Sequence, residues 1–344
     1  MKKEFASKEN IKMIQGIAVM LMVFHHLFGF PDRISATYYA PFDFNIIHLE
    51  TMLAYFGRIC VAIFIFCSGY GLYNKYKKMF VEHKWTLLKG YKIIFFSIKK
   101  FYLRYWIVFI FFIPYGFYSN IYEFIPLQLI KNIFGIACTY NKEWWYVYTY
   151  LRLLIVFPLL FNFVLFFIKR NSRMKLFAIS LIVIFLLLFV VYKYDGLETS
   201  FLISLIMFYI GIIVAEFNIL ELINCNIKKL SFGDCIVMVT FMIAIYIRLV
   251  VSSKLDLLIV PIIIFCLLYL LNSKYVLSFF KYLLSIEGRY CQYIWLTHTF
   301  LSYYYFQNQL YSLSISWVIF LVCLIICTGI GMVLEKILVK LHLV

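Results

Sequence analysis

The stretch Leu176–Tyr192, LFAISLIVIFLLLFVVY, holds 17 consecutive residues without a charged side chain. An apolar run of about 17 to 25 residues is long enough to cross the hydrocarbon core of a bilayer, which is about 30 Å thick. Inside that core the backbone N–H and C=O groups of a single run must be hydrogen-bonded within the run, and only a helix achieves this. The stretch therefore predicts a transmembrane helix.

Similar apolar runs recur along the whole chain of 344 residues, in which 65% of the residues are hydrophobic and 14% are charged. About a quarter of the residues in a soluble domain are charged, so this composition, with a mean hydropathy of +0.93, excludes a soluble protein. We predict an all-α fold, a polytopic transmembrane bundle of about ten helices that forms a single domain over residues 1–344. The predicted spans are Ile11–Phe30, Phe56–Asn74, Leu103–Phe117, Trp144–Ile168, Leu176–Tyr192, Phe201–Glu216, Phe232–Val251, Leu255–Leu271, Tyr290–Phe306 and Ser314–Leu334.

The basic residues predict the orientation of this bundle. The two termini and the alternate loops on their side hold 24 lysines and arginines, and the opposite loops hold 6. Short loops rich in lysine and arginine stay in the cytoplasm, so we predict that both termini are cytoplasmic. The six basic residues on the opposite side are Arg33, Lys131, Lys142, Lys193, Arg248 and Lys254.

The net charge of +16 does not indicate a nucleic-acid partner, because the basic residues are scattered over short loops. Their expected partners are the anionic lipids of the membrane. The most basic part, residues 75–102, interleaves lysines with Trp85 and other apolar residues. This pattern is typical of an amphipathic segment on the cytoplasmic membrane surface.

The nine cysteines indicate neither a disulfide framework nor a zinc site, because their number is odd and no Cys-x-x-Cys occurs. We therefore expect no metal. The apolar stretch after Lys2 and Lys3 is too long for a signal-peptide core and lacks a small-residue cleavage site. We predict that it is retained as the first helix.

Polar residues on the first helix are the strongest functional candidates, since ionisable groups within a membrane are costly. Gln15 and His26 are 11 residues apart, about three turns, so they lie on one face about 16 Å apart along the helix axis. Lys12 is on nearly the same stripe, whereas His25 points about 100° away from His26. The alternative interpretation is that His26 bonds a carbonyl and Lys12 extends to lipid headgroups.

Three further polar groups lie within the predicted spans. His298 is a second intramembrane histidine, Arg152 is a charge that needs a partner, and Arg58 at a helix end suits an interfacial anchor. The aromatic residues Trp144–Tyr150 and Tyr303–Phe306 are explained by an interfacial belt. A surface that stacks against sugars is the alternative.

These helices resemble the integral membrane acyltransferase-3 family, whose first helix has a basic residue, ten others and then a histidine. Gln15 and His26 fit that frame, and the resemblance covers nearly the whole chain. The other similar motifs are Phe64–Tyr70 (FIFCSGY) on the second helix, Lys99–Arg104 (KKFYLR) before the third, Trp144–Tyr146 (WWY) with Pro158 on the fourth, Tyr293–His298 (YIWLTH) on a late helix and Glu335 on the last.

Members of this family O-acylate cell-surface polysaccharides, lipopolysaccharide, peptidoglycan, Nod factors or macrolides. The resemblance implies a bacterial plasma-membrane O-acyltransferase that moves an acyl group, expected to be acetyl, from cytoplasmic acetyl-CoA. The acceptor would be a hydroxyl of a cell-surface or capsular polysaccharide or of a lipid-linked glycan. The expected site residues are His26, His298 and His25 for catalysis, Lys12, Gln15, Lys100 and Arg104 for the donor, and Trp144, Trp145 and Arg152 for the acceptor.

The sequence departs from the family pattern at two places. Gln15 stands where the family has arginine or lysine, with Lys12 as a possible substitute, and Phe101 replaces the first arginine of an Arg-x-x-Arg pattern. We expect no fused esterase-like domain. A transporter or flippase for a glycan lipid is the alternative hypothesis, although glycines and prolines show no paired interruptions of the helices.

Overall fold

The computed structural model describes residues 4–34, 36–44, 48–82, 85–193, 197–251, 255–274 and 276–343, without the side chains of residues 81, 82 and 197–199. Across these ranges the chain is helical, and the only strand-like features are two isolated β-bridges. The helices are α1 Lys8–Phe28, α2 Leu49–Phe56, α3 Cys60–Glu82, α4 Leu87–Tyr118, α5 Pro126–Ile133, α6 Trp145–Lys169, α7 Arg173–Lys193, α8 Leu197–Glu216, α9 Ile219–Ile227, α10 Gly233–Val250, α11 Asp256–Asn272, α12 Ser278–Thr299, α13 Gln307–Tyr311 and α14 Ser316–Lys340.

Each of the ten predicted spans overlaps one of the long helices, but several boundaries were wrong, and the two largest differences are at helix starts. The third predicted span starts at Leu103, whereas α4 starts at Leu87; the ninth starts at Tyr290, whereas α12 starts at Ser278. In both cases charged residues precede the apolar run, and the helix has already begun before them. The predicted end of the ninth span is also different, because Phe300–Tyr304 form a π-helical turn.

The chain is a multi-pass membrane protein. In the described residues, six helical segments are long and apolar enough to cross a membrane, and a pair bent by 59° (Ser200–Glu216 with Ile219–Ile227) would be a seventh. Ten crossings and cytoplasmic termini stay predictions, and Lys254 lies outside the described residues. The six segments are Lys8–Phe28, Leu49–Phe80, Lys142–Lys169, Arg173–Lys193, Gly233–Val250 and Ser316–Lys340.

The basic segment 75–102 is divided between the end of α3 and the first half of α4. Positions 83 and 84 lie outside the described residues. Trp85 packs between α3 and α6, with its ring 5.5 Å from that of Tyr76 and 4.7 Å from that of Phe161. Leu88, Phe95 and Phe96 are exposed. The position of this segment on the membrane surface stays a prediction.

Helix α1 lies at the centre of the bundle and crosses α12 at a pair of glycines. A Cβ atom on Gly288 would lie 1.9 Å from the carbonyl oxygen of Lys12, and one on Gly16 would lie 2.1 Å from that of Leu284. Small residues of this kind let two membrane helices approach until their backbones touch. The close crossing brings the far ends of α1 and α12 together, where His26 and His298 lie.

Candidate active site

His26 and His298 are in direct contact. Nδ1 of His26 lies 2.7 Å from Nε2 of His298, and the ring centroids are 4.9 Å apart. His298 is fully buried and His26 is 9% exposed. On its other side, Nδ1 of His298 lies 2.9 Å from the carbonyl oxygen of Trp295 and 3.1 Å from that of Ile294.

The backbone contacts determine where the protons of the two rings lie. A carbonyl oxygen only accepts hydrogen bonds, so His298 carries its proton on Nδ1 and accepts at Nε2. His26 then donates from Nδ1 to His298. In the neutral ring this leaves Nε2 of His26 without a proton. That nitrogen is the basic atom of the histidine pair.

Glu143 faces this basic nitrogen. Its Oε2 atom lies 3.3 Å from Nε2 of His26, and its side chain is 11% exposed. The contact places a carboxylate next to a lone pair when His26 is neutral, and next to an N–H donor when His26 is protonated. Glu143 is therefore positioned to stabilise the imidazolium form of His26.

Arg33 holds the second oxygen of the Glu143 carboxylate. Its Nη1 atom lies 2.7 Å from Oε1, and the guanidinium packs 4.3 Å from the ring centroid of Phe30 and 5.6 Å from that of Tyr303. Burial alone lowers the pKa of Arg33, but the hydrogen bond and the charge of Glu143 raise that pKa above its ordinary value. Arg33 therefore stays charged and keeps the Glu143 carboxylate in place.

Hydrogen bonds tie the loop that carries Glu143 to α12. The Asn141 side chain accepts from the backbone N–H of Glu143 at 3.1 Å and donates to Thr299 at 2.7 Å. Nε1 of Trp295 donates to the carbonyl oxygen of Glu143 at 3.2 Å. In the π-helical turn, Tyr303 donates to the carbonyl oxygen of His26. These contacts fix Glu143 and His26 relative to each other.

His26 and Glu143 line one end of a cavity of about 1540 Å³, whose other end is lined by Gln15 and Arg104. Because Gln15 and His26 are both on α1, the cavity extends about 16 Å along that helix. We call the part around His26 and Glu143 the histidine end and the part around Gln15 and Arg104 the glutamine end. In the described residues, no three His, Cys, Asp or Glu side chains are grouped to hold a metal ion.

The glutamine end is polar and more exposed. Arg104 forms two hydrogen bonds with Glu335, at 2.7 and 3.0 Å, and Tyr293 donates to the same carboxylate at 2.6 Å. Arg289 and Gln292 line the cavity beside Gln15, and the side chain of Arg289 is exposed. This end can bind anionic groups of a ligand through guanidinium donors.

A family model described as "Acyltransferase domain" matches residues 8–336. The chain belongs to the acyltransferase-3 family. The resemblance seen in the sequence is therefore confirmed, and the protein is a membrane acyltransferase. The match favours this function over the transporter or flippase hypothesis. Comparisons with curated proteins and with solved structures gave no match.

Several residues expected to act in the acyltransferase do line the cavity: Gln15, His25, His26, Arg104 and Trp145. His298 lies behind His26 and reaches the cavity only through that ring. Nδ1 of His25 lies 2.7 Å from the carbonyl oxygen of Ala54, so the carbonyl contact considered for His26 belongs to His25 instead. The catalytic and binding roles of these residues stay predictions.

Four other expected residues lie away from the cavity lining. Lys12 pairs with Glu9 at 2.6 Å, and Lys100 is exposed on α4. Trp144 is 1% exposed and donates to the carbonyl oxygen of Leu296, so its ring has no free face for a sugar. The guanidinium of Arg152 lies 3.7 Å from the ring centroid of Phe201.

The sequence reasoning missed Glu143, Arg33 and Arg289, and it assigned Arg58 to the interface although Arg58 lines the cavity. One signal was present for Glu143: it directly precedes the aromatic start of a predicted span. An acidic group in that position needs a cationic partner, and Arg33, next to the end of the first helix, was a candidate. Nothing local in the sequence pairs the two.

Proposed function

We propose that this acyltransferase moves an acyl group, acetyl in the simplest case, from acyl-CoA to a hydroxyl of a cell-surface polysaccharide or of a lipid-linked glycan. One observation carries the proposal: His26 donates from Nδ1 to His298, which itself donates to the carbonyl oxygen of Trp295, and this leaves Nε2 of His26 as a basic atom at the cavity surface. A general base is what an alcohol needs in order to attack a thioester at neutral pH.

In the proposed reaction, the acceptor hydroxyl loses its proton to Nε2 of His26 while its oxygen attacks the thioester carbonyl. The C–S bond then breaks, and the imidazolium returns the proton to the departing thiolate. Glu143 lies 3.3 Å from the protonated nitrogen and stabilises the charge while it exists. A positioned base of this kind accelerates proton transfer by about 10²- to 10⁴-fold.

We propose that the donor enters at the glutamine end. Arg104 and Arg289 offer guanidinium groups there that suit the phosphates of CoA. Gln15 is neutral, and Arg289, next to Gly288 at the crossing of α12 with α1, supplies positive charge beside it. Lys12 and Lys100, which were expected to bind the donor, lie outside the cavity lining, so we propose that they attract the donor rather than hold it.

The proposed location is the plasma membrane of a bacterium, with the glutamine end in the cytoplasm. The support is the excess of lysine and arginine, 24 against 6, on the side of the termini. In this orientation a cytoplasmic thioester meets an acceptor from the opposite side within the cavity.

The test is transfer of radiolabelled acetyl from acetyl-CoA to surface glycan in proteoliposomes. We expect His26→Ala to lower the rate by about 10²-fold or more. His342→Ala is the matched control, because His342 is exposed near the C-terminus, away from the cavity. Full transfer by folded His26→Ala protein would contradict the proposal, and so would glycan movement across the vesicle membrane without labelling.

A further inference from the structure

A second charged group lies on the cavity wall, where α10 ends and α11 begins. Arg248 and Asp256 both line the cavity, with Nε of Arg248 2.5 Å from Oδ1 of Asp256. Arg248 is only 7% exposed. Among the described residues, its Nη2 atom has no hydrogen-bond partner, and its contact with Asp256 lacks hydrogen-bond geometry. A desolvated guanidinium with unused donors is costly, so among the described residues this position lacks an acceptor.

Arg58 is the second cation at this position. It lies in the 3₁₀ turn Gly57–Ile59, lines the same cavity and is exposed. Within the described ranges, its guanidinium has no ion-pair partner, yet its charge acts on both Asp256 and His25. Two guanidinium groups thus face one carboxylate. Within the part of the chain that the structure describes, one positive charge of this group has no counter-ion.

An apolar wall lines the same cavity as these arginines. It is formed by Leu188 and Val191 from the end of α7 and by Ile203 and Met207 from α8. Only 11% of the apolar window of α7 is buried inside the protein. The helix therefore lies at the edge of the bundle, with lipid on its outer side, and this part of the cavity is next to the bilayer.

We propose that Arg58, Arg248 and the apolar wall form the binding site for an amphiphile that carries a phosphate next to a long hydrocarbon chain. Arginine binds phosphate through paired N–H donors, and the wall supplies apolar contact for the chain. This inference rests on the proposed function: the acceptor is a glycan linked through phosphate to a polyprenyl chain. Its sugar then extends toward His26.

The test measures binding without turnover. The protein is placed in phosphatidylcholine nanodiscs and titrated with radiolabelled polyprenyl phosphate, or with polyprenol, which has the same chain and a neutral hydroxyl. We expect polyprenyl phosphate to bind more tightly, and Arg58→Gln to weaken its binding by about tenfold or more, with little effect on polyprenol. Arg170→Gln, an exposed arginine away from the cavity, should change neither.

A second variant tests Arg248 without leaving an unpaired charge that could cause misfolding. Arg248→Gln alone leaves Asp256 without its cation, so the double variant Arg248→Gln/Asp256→Asn is used to remove both charges together. It should also weaken the binding of polyprenyl phosphate. Equal binding of polyprenol and polyprenyl phosphate would overturn the proposal, as would equal effects of Arg58→Gln and Arg170→Gln. Displacement by equimolar phosphatidylglycerol would also overturn it, because the site would then bind ordinary lipid headgroups.

The binding and transfer measurements can fail separately. His26→Ala protein should still bind polyprenyl phosphate normally, since Arg58 and Arg248 are unchanged. Normal binding with no transfer in the wild-type protein would contradict the proposed function alone. Transfer to a glycan with no preference for the phosphate would contradict only the present inference.

Discussion

The two ends of the cavity are built differently. At the histidine end, His26 and His298 are buried and the side chain of Glu143 is 11% exposed, and side-chain and backbone hydrogen bonds hold each of the three. At the glutamine end, Arg289 is exposed, and Arg104 is held by a single carboxylate, that of Glu335. Proton transfer needs groups fixed within a fraction of an ångström, whereas a large anionic donor needs room to enter and leave. This difference supports the proposal of chemistry at one end and donor binding at the other.

The largest effect is expected from a substitution at the crossing of α1 with α12, the two helices that carry His26 and His298. Gly288→Ala places a Cβ atom 1.9 Å from the carbonyl oxygen of Lys12, so α1 and α12 must separate. We expect a loss of about 1–3 kcal/mol or more in stability together with nearly complete loss of transfer, because His26 moves away from His298. Thermal unfolding in detergent and the transfer assay measure both.

Gly329→Ala on α14 is the matched control for this change, because no atom lies within 4 Å of a Cβ atom there. We expect it to leave stability and transfer close to wild type. If the two alanine variants behave alike, the crossing at Gly288 does not hold the histidine end together.

The next largest effect concerns the histidine end alone. Glu143→Gln removes the charge that stabilises imidazolium, so kcat should fall by about ten- to a hundredfold with little change in the KM for acyl-CoA. Glu123→Gln is the control, since Glu123 is exposed and does not line the cavity. A rise in the donor KM with kcat unchanged would place Glu143 in donor binding instead.

A smaller effect of the opposite kind is expected at the glutamine end. Arg289→Gln should raise the KM for acyl-CoA about two- to fivefold, as is typical of an exposed charge contact, while kcat stays near wild type. Added salt should shrink the difference, because it screens exposed charges. Steady-state kinetics at low and high salt would show this, and a fall in kcat alone would remove the distinction between the two ends.

The smallest effect should come from Trp144. Trp144→Phe removes the hydrogen bond to the carbonyl oxygen of Leu296, so stability should fall by about 1 kcal/mol with no change in the KM for the acceptor. The neighbouring Trp145, which lines the cavity and is 42% exposed, provides the comparison. A clear rise in the acceptor KM for Trp144→Phe alone would restore the expected role of Trp144 in acceptor binding.

The positions of the long helices could be predicted because an apolar run is a local property of the sequence. The start of α4 at Leu87 could not, since lysines end the apolar run while the helix continues. The choice of His26 over His25 followed from helix geometry, and the structure gives the two rings different partners. The position of Glu143 in the site could not be predicted, because its pairing with His26 and Arg33 depends on how distant segments pack.

The most direct measurement is the protonation of the two histidine rings in the folded protein. Solid-state NMR of protein labelled with ¹⁵N-histidine in liposomes, with His26→Ala and His298→Ala for assignment, reports which nitrogen carries each proton. We predict that neutral His298 is protonated at Nδ1, that its Nε2 accepts from Nδ1 of His26, and that Nε2 of His26 carries no proton in the neutral ring. A proton on Nε2 of His298, with none shared between the rings, would contradict it.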